Sequence, residues 1–386
     1  MHEEGSDPMF PDTSQGDVQT QVHSGGLEDI PMLRRILNAL PAMAMVLNST
    51  RHVVIANQAL SDFAGAAEPD ELIGLRPGDI FECVNASTGE GCGSTAGCAF
   101  CGGSSAIETA FLGRSNKQLC RMRRGAGSRE EPLELEVSAA PVEIAGQRFM
   151  LVYSTDASSR LRREWLERTF IPYAELLARQ IEALVESLNS LTDTATRERA
   201  LRALQESSRR LSSLVRQRGK LAAAEEGRLA PAFRPAPAAR IIAQTLEDLA
   251  SDSAREGRNI RVAPGANASA DTDAVLARCI LRNMLLNALE ATPPGGTVQT
   301  GWTVDGDKVK LWVRNEGELT DEVRVQIWQR AYSTKGPGRG YGAYFTKLLA
   351  ERFLEGEVGF GSSAQEGTTF FVRLPLAKED NAEETL

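Results

Sequence analysis

The sequence lacks long apolar runs and basic stripes, and most of its length has no histidine. No uninterrupted run approaches the roughly 20 apolar residues of a bilayer-spanning helix, so no membrane insertion is expected. The net charge of −9 and the missing basic stripe argue against nucleic-acid binding. The acidic N-terminus carries no signal-peptide pattern, which predicts a cytoplasmic protein in contact with a soluble or diffusible signal.

Histidine occurs only at His2, His23 and His52. The first two lie in a segment rich in Gly, Asp, Glu, Ser and Gln, and the third lies in a predicted strand. The remainder of the chain therefore has no imidazole nitrogen that could act as a nucleophile.

The composition is that of a globular protein with several domains. The chain has 386 residues, of which 42% are hydrophobic and 25% charged, and two or three domains are expected. Composition predicts a disordered acidic tail over residues 1–32, a Pro- and Ala-rich linker over 226–239 and a second acidic tail over 379–386.

One predicted helix combines amides with an apolar face. It should begin after 271–273, end at 293–296 and carry Asn283, Asn287 and Glu290 on one side. Carboxamide oxygens are hard ligands that suit Mg²⁺, which usually also holds substrate phosphates. A plain amphipathic helix with a polar outer face is the alternative. The apolar face, predicted to pack on a sheet, consists of Leu276, Ile280, Met284 and Ala288.

Three further motifs follow this helix, in the segments 315–317, 333–342 and 367–375. The order and spacing of the four pieces resemble the nucleotide-binding domain of sensor histidine kinases, within the GHKL ATPase superfamily. The resemblance covers roughly residues 240–378. It implies an α/β sandwich that binds ATP and Mg²⁺.

The resemblance also implies roles for individual residues. Asn287 would chelate Mg²⁺, and Asn283 would contact phosphate oxygens or metal-bound waters. Asn283 also stands where hydrolytic relatives carry a glutamate that activates water, so steady hydrolysis is not expected. Asn315 replaces the aspartate that contacts the adenine amino group. Lys335 would reach a phosphate, or be a solvated loop lysine. The remaining implied ATP-binding residues are Gly317, Gly338, Gly340, Gly342 and Thr368.

The N-terminal third has a compact α/β pattern. Predicted strands cover 42–47, 52–56, 135–142 and 147–153, with a short helix over 57–63. The segments 55–57, 73–78 and 154–156 resemble those of a PAS sensor domain, which would span about residues 33–156.

A cysteine cluster lies inside this predicted sensor. Its spacing, Cys83-x8-Cys92-x5-Cys98-x2-Cys101, is embedded in glycines. Four thiolates suit tetrahedral Zn²⁺ or an iron–sulfur cluster. Thiol redox chemistry and inert buried thiols are the two other interpretations. Cys120 is a possible fifth partner, whereas a distant cysteine, Cys279, is interpreted as a packing residue.

From residue 157 to 225 apolar residues recur at three- and four-residue steps, with a break near 192–196. Two such helices have a narrow apolar seam that a second copy could cover in a four-helix bundle. The segment resembles the dimerisation and phosphotransfer hairpin of histidine kinases. In the best register Pro172 takes the place of the phosphoacceptor histidine, Tyr173 that of the acid and Leu176 that of the amide or hydroxyl. The proline is expected to disturb the preceding turn.

The predicted fold class is multi-domain α+β, with a PAS-like sensor, a dimerisation hairpin and a GHKL ATP-binding domain. The predicted protein is a homodimeric, two-component-type pseudokinase that binds ATP and Mg²⁺, has no catalytic residue and signals to a response regulator or another kinase. One alternative is a kinase that phosphorylates a histidine of a partner in trans. The other is a redox or metal sensor, with zinc or an iron–sulfur cluster, whose ATP domain is vestigial.

Overall fold

The computed structural model describes residues 30–89, 91–125, 130–144, 146–190, 192–250, 255, 257–330, 332–334 and 340–378. The chain divides into two compact units, Met1–Arg163 and Glu164–Leu386. No helix in these described ranges is long and apolar enough to cross a membrane. Nearly all of the predicted N-terminal tail, and all of the predicted C-terminal tail over 379–386, lie outside them.

The N-terminal unit is built on a five-stranded antiparallel sheet with the order β2-β1-β5-β4-β3. Its strands are β1 Met43–Leu47, β2 Val53–Ala56, β3 Asn116–Arg124, β4 Glu131–Ile144 and β5 Gln147–Asp156. Its helices are α1 Ile30–Asn38, α2 Gln58–Ala64, α3 Pro77–Ile80, α4 Val84–Ser87 and α5 Gly102–Phe111, with 3₁₀ turns at Pro69–Leu72 and Ala96–Phe100.

Strand β1 is buried on both faces, because successive side chains point to opposite sides of the sheet. Met43 and Met45 contribute to one apolar core, and Ala44 and Val46 contribute to the other. Helix α1 covers the second face with Leu37. The predicted tail over 1–32 was therefore too long, because this helix already begins at Ile30.

The C-terminal unit contains a five-stranded sheet with the order β11-β12-β10-β9-β7, in which only the β7–β9 pair is parallel among the described strands. The strands are β6 Arg234–Pro237, β7 Asn259–Val262, β8 Ser269–Thr272, β9 Thr297–Asp305, β10 Lys308–Asn315, β11 Glu357–Ser363 and β12 Gly367–Pro375. The helices that accompany this sheet are α9 Ala238–Asp248, α10 Ala274–Ala291, α11 Asp321–Gln326 and α12 Tyr341–Leu348, followed by a π turn at Leu349–Phe353.

Helix α10 is the predicted amide-bearing helix, with the predicted start, end and apolar face. The Asp273 carboxylate accepts hydrogen bonds from the backbone N–H groups of Val275 and Leu276, which satisfies donors that a helix start leaves free. The apolar face is buried in the core that the sheet shares with α9 and α12: Leu276, Ile280, Met284 and Ala288. The 3.6-residue period therefore predicted this helix correctly.

The segment between the two sheets is helical: α6 Ser158–Trp165, a π turn at Leu166–Phe170, α7 Ile171–Ser190 and α8 Thr194–Glu225. Helices α7 and α8 pack against each other. Asp193 caps α8 by accepting from the N–H of Thr196, which agrees with the break predicted near 192–196.

The disturbance expected before Pro172 takes the form of the π turn. Proline has no N–H and its ring clashes with the carbonyl four residues earlier, here that of Arg168. In the π turn the N–H of Ile171 bonds the carbonyl of Leu166, one residue further back than in an α-helix. The widened turn lets the helix continue through the proline instead of ending there.

The predicted linker over 226–239 was partly wrong. Residues Arg234–Pro237 form strand β6, which pairs with β8, and helix α9 starts at Ala238. Prolines are tolerated in an edge strand, because their missing N–H need not join a ladder. Ala236 and Ala238 are buried in the same core as Leu221 at the end of α8. The helical segment thus ends inside the core of this unit.

Candidate functional site

Two half-buried amides project from helix α10. Asn283 and Asn287 lie one turn apart, and each directly precedes a buried residue, Met284 and Ala288. Neither side-chain amide is hydrogen-bonded to a residue in the described part of the chain. A half-buried amide without a protein partner costs free energy unless water or a ligand satisfies it. The pair is therefore suited to offer oxygen ligands to a hydrated cation or to contact phosphate.

A second group forms where strands β10 and β12 end side by side. Asn315 and Thr368 are register partners across the ladder, and both are buried, at 5% and 0% exposure. The Thr368 hydroxyl donates to the carbonyl of Gly317 over 2.6 Å. Three residues that the sequence predicted for nucleotide binding are therefore brought into contact.

Ser362 on β11 completes this group and was missed by sequence reasoning. Its Oγ lies 2.8 Å from the Thr368 hydroxyl and accepts the N–H of Leu319 over 2.9 Å. Leu319 stands where the resembled family has a second glycine, and its backbone is held here by the serine. No local pattern marks Ser362, because its role depends on strand pairing.

Two glycines allow the main chain to turn at this point. Gly367 has a φ of +72°, and a Cβ there would lie 2.2 Å from the carbonyl oxygen of Asn315. A Cβ on Gly317 would lie 3.2 Å from Nδ2 of Asn315. Gly367 is therefore confined to glycine by both space and conformation, whereas the contact at Gly317 is only tight.

The glycine-rich segment leads into helix α12. Gly340 caps the helix with a φ of +101°, in the left-handed region that favours glycine. Gly342 lies in the first turn, and a Cβ there would meet no atom of the described residues within 4 Å. The predicted residues Lys335 and Gly338 lie outside the described residues.

Tyr341, which replaces the usual leucine between the last two glycines, is buried. Its ring packs on that of Trp165 with a centroid distance of 4.6 Å, and the Arg218 guanidinium lies 5.2 Å from the Trp165 ring. The start of α12 is therefore fixed against the helical segment. Helix α12 also packs directly against α10, so the amides and the Gly340 turn lie on neighbouring helices.

A buried ion pair joins the same two regions and was not predicted. Glu225, the last residue of α8, lies with Oε1 3.3 Å from Nη1 of Arg330, and the two side chains are 7% and 5% exposed. Lys220 on the same helix donates to the sulfur of Cys279 on α10 over 3.2 Å. Cys279 is thus a packing residue, as predicted, with a polar contact in addition.

The cysteine cluster is brought together only in part. The sulfurs of Cys101 and Cys120 lie 3.5 Å apart, and Cys98 Sγ lies 3.3 Å from Thr95 Oγ1. Within the described ranges, no three His, Cys, Asp or Glu side chains are arranged to hold a metal ion. The thiols as they stand do not fit the zinc or iron–sulfur site predicted at Cys83, Cys92, Cys98 and Cys101.

The thiols differ in acidity. A hydrogen bond from the Cys120 thiol lowers the pKa of Cys101 to about 6 against the opposing effect of burial, helped by the N–H groups of Ser104 and Gly103 and by the charge of Arg51. The same hydrogen bond and burial raise the pKa of Cys120. Burial raises the pKa of Cys92 to about 12 and also raises that of Cys83.

Comparison with known proteins gives a match to the C-terminal motifs. Residues 272–378 match the profile of the family described as histidine kinase-, DNA gyrase B- and HSP90-like ATPase. A probable C4-dicarboxylate sensor kinase of Halalkalibacterium halodurans is 34% identical over 102 residues, covering 25% of this chain and 19% of that protein. Sporulation kinase A of Bacillus subtilis is 33% identical over 94 residues, covering 24% of this chain and 15% of that protein. The chain thus aligns with less than a fifth of the length of either relative.

Among solved structures, histidine kinase ThkA in complex with response regulator protein TrrA is 16% identical and covers 89% of this chain and 98% of its own, with a TM-score of 0.37. The family match and the two aligned kinases confirm the GHKL assignment made from the motifs. Residues 272–378 therefore form a domain of the histidine kinase-, DNA gyrase B- and HSP90-like ATPase family, in a chain related to sensor histidine kinases.

Proposed function

We propose that the chain is a two-component-type signalling protein that binds Mg-ATP and does not phosphorylate itself. The observation that carries the proposal is the pair Asn283 and Asn287, half-buried on α10 and without a hydrogen-bonded side-chain partner in the described part of the chain. These amides sit in a domain whose family is described as ATPase. They fit a hydrated magnesium ion and phosphate oxygens by donor type.

Each motif residue then has a defined task. Asn287 would hold Mg²⁺ and Asn283 would contact phosphate oxygens or metal-bound water. Bound magnesium would supply charge neutralisation for the phosphates. The side-chain amide oxygen of Asn315 would accept a hydrogen bond from the adenine amino group. This hydrogen bond would lack the charge assistance that a carboxylate gives. Gly317 and Thr368 would shape the wall beside Asn315.

The glycine segment would close over the triphosphate. Gly342 leaves room among the described residues for main chain to approach a ligand, and Gly340 adopts a left-handed φ of +101°. Lys335 and Gly338 are proposed for the same role by resemblance alone. Asn283 stands where a water-activating glutamate would be needed, and an amide cannot act as a general base. Bound ATP is therefore expected to persist.

The helical segment supports the second half of the proposal. Pro172 stands in the phosphoacceptor position, and the chain after His52 has no imidazole to receive a phosphoryl group. Signalling would then proceed through conformation or partner docking, with a response regulator or another kinase as the partner.

A second copy of this chain is the proposed partner of helices α7 and α8. Several large apolar side chains are exposed on these two helices, and exposed apolar residues that form a contiguous patch mark an interface. They are Ile171, Tyr173, Leu176, Val185, Leu201 and Val215. Burying them in a four-helix bundle would give the homodimer.

The N-terminal unit is proposed to be the sensor. Its strand order, β2-β1-β5-β4-β3, and its helices between β2 and β3 support a PAS-like fold. The cytoplasmic location remains a prediction of the sequence. The signal would act through the helical segment on the ATPase domain by shifting a conformational equilibrium.

Calorimetric titration of the full chain with Mg-ATP tests the binding proposal. Asn287→Ala should weaken binding about tenfold, or about 1.4 kcal/mol, because it removes a metal ligand. Glu247→Ala, at an exposed position of helix α9, is the control and should bind like the parent chain. Absence of binding by the parent chain would favour the vestigial-domain alternative. Transfer of label from ATP to a histidine of a partner protein would favour the trans-acting kinase.

A further inference from the structure

Two cysteines of the N-terminal unit form a close pair that nucleotide binding does not use. Cys101 is the N-cap residue of α5, and Cys120 lies in the middle of β3. Their sulfurs are 3.5 Å apart. A disulfide bond is about 2.05 Å long, so closing the pair requires the sulfurs to approach by about 1.5 Å.

The glycines after Cys101 permit this approach. A Cβ on Gly102 would lie 2.3 Å from the carbonyl oxygen of Leu119, so only glycine fits against β3. A Cβ on Gly103 would lie 3.4 Å from the Cys120 sulfur and 3.7 Å from the Cys101 sulfur. The close packing of the start of α5 on β3 therefore depends on these two glycines.

We propose that Cys101 and Cys120 are a redox-active dithiol that closes to a disulfide when the chain meets a hydroperoxide. The proposal goes beyond ATP binding and does not depend on it. It also selects one pair from the five neighbouring cysteines, Cys83, Cys92, Cys98, Cys101 and Cys120.

The two cysteines of this pair differ in their surroundings, and the difference indicates which thiol reacts first with the peroxide. Cys101 is partly exposed and is the N-cap residue of helix α5. The start of a helix favours a reactive thiolate. Cys120 is only 1% exposed, so it cannot meet an oxidant directly. Cys101 is therefore the attacking sulfur and Cys120 the resolving one.

The reaction balances without a further cofactor. The Cys101 thiolate attacks one peroxide oxygen, the O–O bond breaks, and Cys101 becomes a sulfenic acid while the leaving oxygen takes a proton. The Cys120 sulfur then attacks the Cys101 sulfur, the S–O bond breaks and the S–S bond forms. The departing hydroxide takes the Cys120 proton and leaves as water. With hydrogen peroxide, two thiols and one peroxide give one disulfide and two waters.

Closure would act on the start of α5. The bond fixes the N-cap of this helix to β3 and removes the Cys120 hydrogen bond from Cys101. Arg51 contacts the same turn, with Nη1 donating to Ser104 Oγ over 3.0 Å and Nη2 2.8 Å from Glu108 Oε1. Oxidation would therefore change contacts at a buried arginine inside the unit.

The test uses the reduced full chain, treated with hydrogen peroxide, alkylated and mapped by peptide mass spectrometry. We expect one new linked pair, Cys101 with Cys120. Cys120→Ser should accumulate a dimedone-trapped sulfenic acid on Cys101, and Cys101→Ser should leave Cys120 reduced. Cys279→Ser, outside the cluster, should oxidise like the parent chain.

Three outcomes would overturn the proposal. The first is linkage of Cys101 to another cysteine, and the second is a Cys101 thiol that stays reduced. The third is a purified chain that holds stoichiometric zinc or iron on these thiols and resists peroxide. Calorimetric titration of the same samples with Mg-ATP gives an independent result, so failure here leaves the nucleotide proposal unaffected. The wild-type mapping decides the matter even if a variant folds poorly.

Discussion

The helices α7 and α10 belong to the same unit of the chain but differ in the chemistry their residues can perform. Helix α10 presents Asn283 and Asn287, which suit magnesium and phosphate, on a correctly capped helix. Helix α7 carries Pro172, preceded by a π turn, at the position that the proposal assigns to the missing phosphoacceptor. The comparison teaches that nucleotide binding and phosphotransfer are separable, because they depend on different side chains.

The two regions are nevertheless physically joined. Leu221 and Ala224 of α8 lie in the core of the ATPase domain, and Trp165 packs on Tyr341 at the start of α12. A chain whose hairpin had lost all function could have lost these contacts as well. Their presence fits a protein that transmits conformation between the two regions.

The largest expected effect concerns the buried ion pair of Glu225 and Arg330. Arg330→Met removes the guanidinium that pairs with the buried Glu225 carboxylate, which should lower the free energy of unfolding by about 3–5 kcal/mol. Arg179→Met, which removes an exposed pair with Glu175 on α7, is the control and should cost no more than about 1 kcal/mol. Chemical denaturation measures both. Equal, small losses would mean that the helical segment is not anchored through this pair.

Gly367→Ala should be the next largest change. The new Cβ would collide with the Asn315 carbonyl and sit at a positive φ, so a loss of about 3 kcal/mol is expected. Gly361→Ala, on the neighbouring strand with nothing within 4 Å, should cost much less. Urea unfolding of the two variants compares them directly, and similar midpoints would contradict the packing described around Asn315.

Asp273→Ala tests how α10 is held. The carboxylate caps the helix and also accepts the N–H of Ala232 over 3.0 Å. Its removal should cost about 1–2 kcal/mol and weaken nucleotide binding only through the position of Asn283. Thermal unfolding measures the first effect. An unchanged midpoint would show that packing alone sets the start of the helix.

Pro172→Ala has the smallest expected effect on stability. The π turn already relieves most of the clash that a proline causes, so the gain should be about 1 kcal/mol rather than the about 3 kcal/mol of an unrelieved helix-interior proline. Chemical unfolding of the full chain at a fixed protein concentration measures it. A gain of about 3 kcal/mol would mean that the π turn before Pro172 does not relieve the clash of the proline ring.

The sequence predicted what depends on local periods and motif order. Helix α10, its Asp273 cap and its buried face follow from the 3.6-residue repeat, and the GHKL assignment follows from four ordered motifs. The linker was misjudged because proline-rich composition hides an edge strand such as Arg234–Pro237. Ser362 was missed because strand pairing, not sequence, brings it to the site. Cys120 was predicted only as a possible fifth partner of the cysteine cluster, and its pairing with Cys101 likewise depends on neighbours in space.

The central claim is that the chain binds Mg-ATP but has no histidine in its helical segment to accept the γ-phosphoryl group. The direct measurement is incubation of the purified full chain with γ-labelled Mg-ATP, followed by separation of bound from covalent label under acidic and neutral conditions. The account predicts label that is bound and exchangeable, with none attached covalently to the chain. Acid-labile label on the chain itself would contradict it.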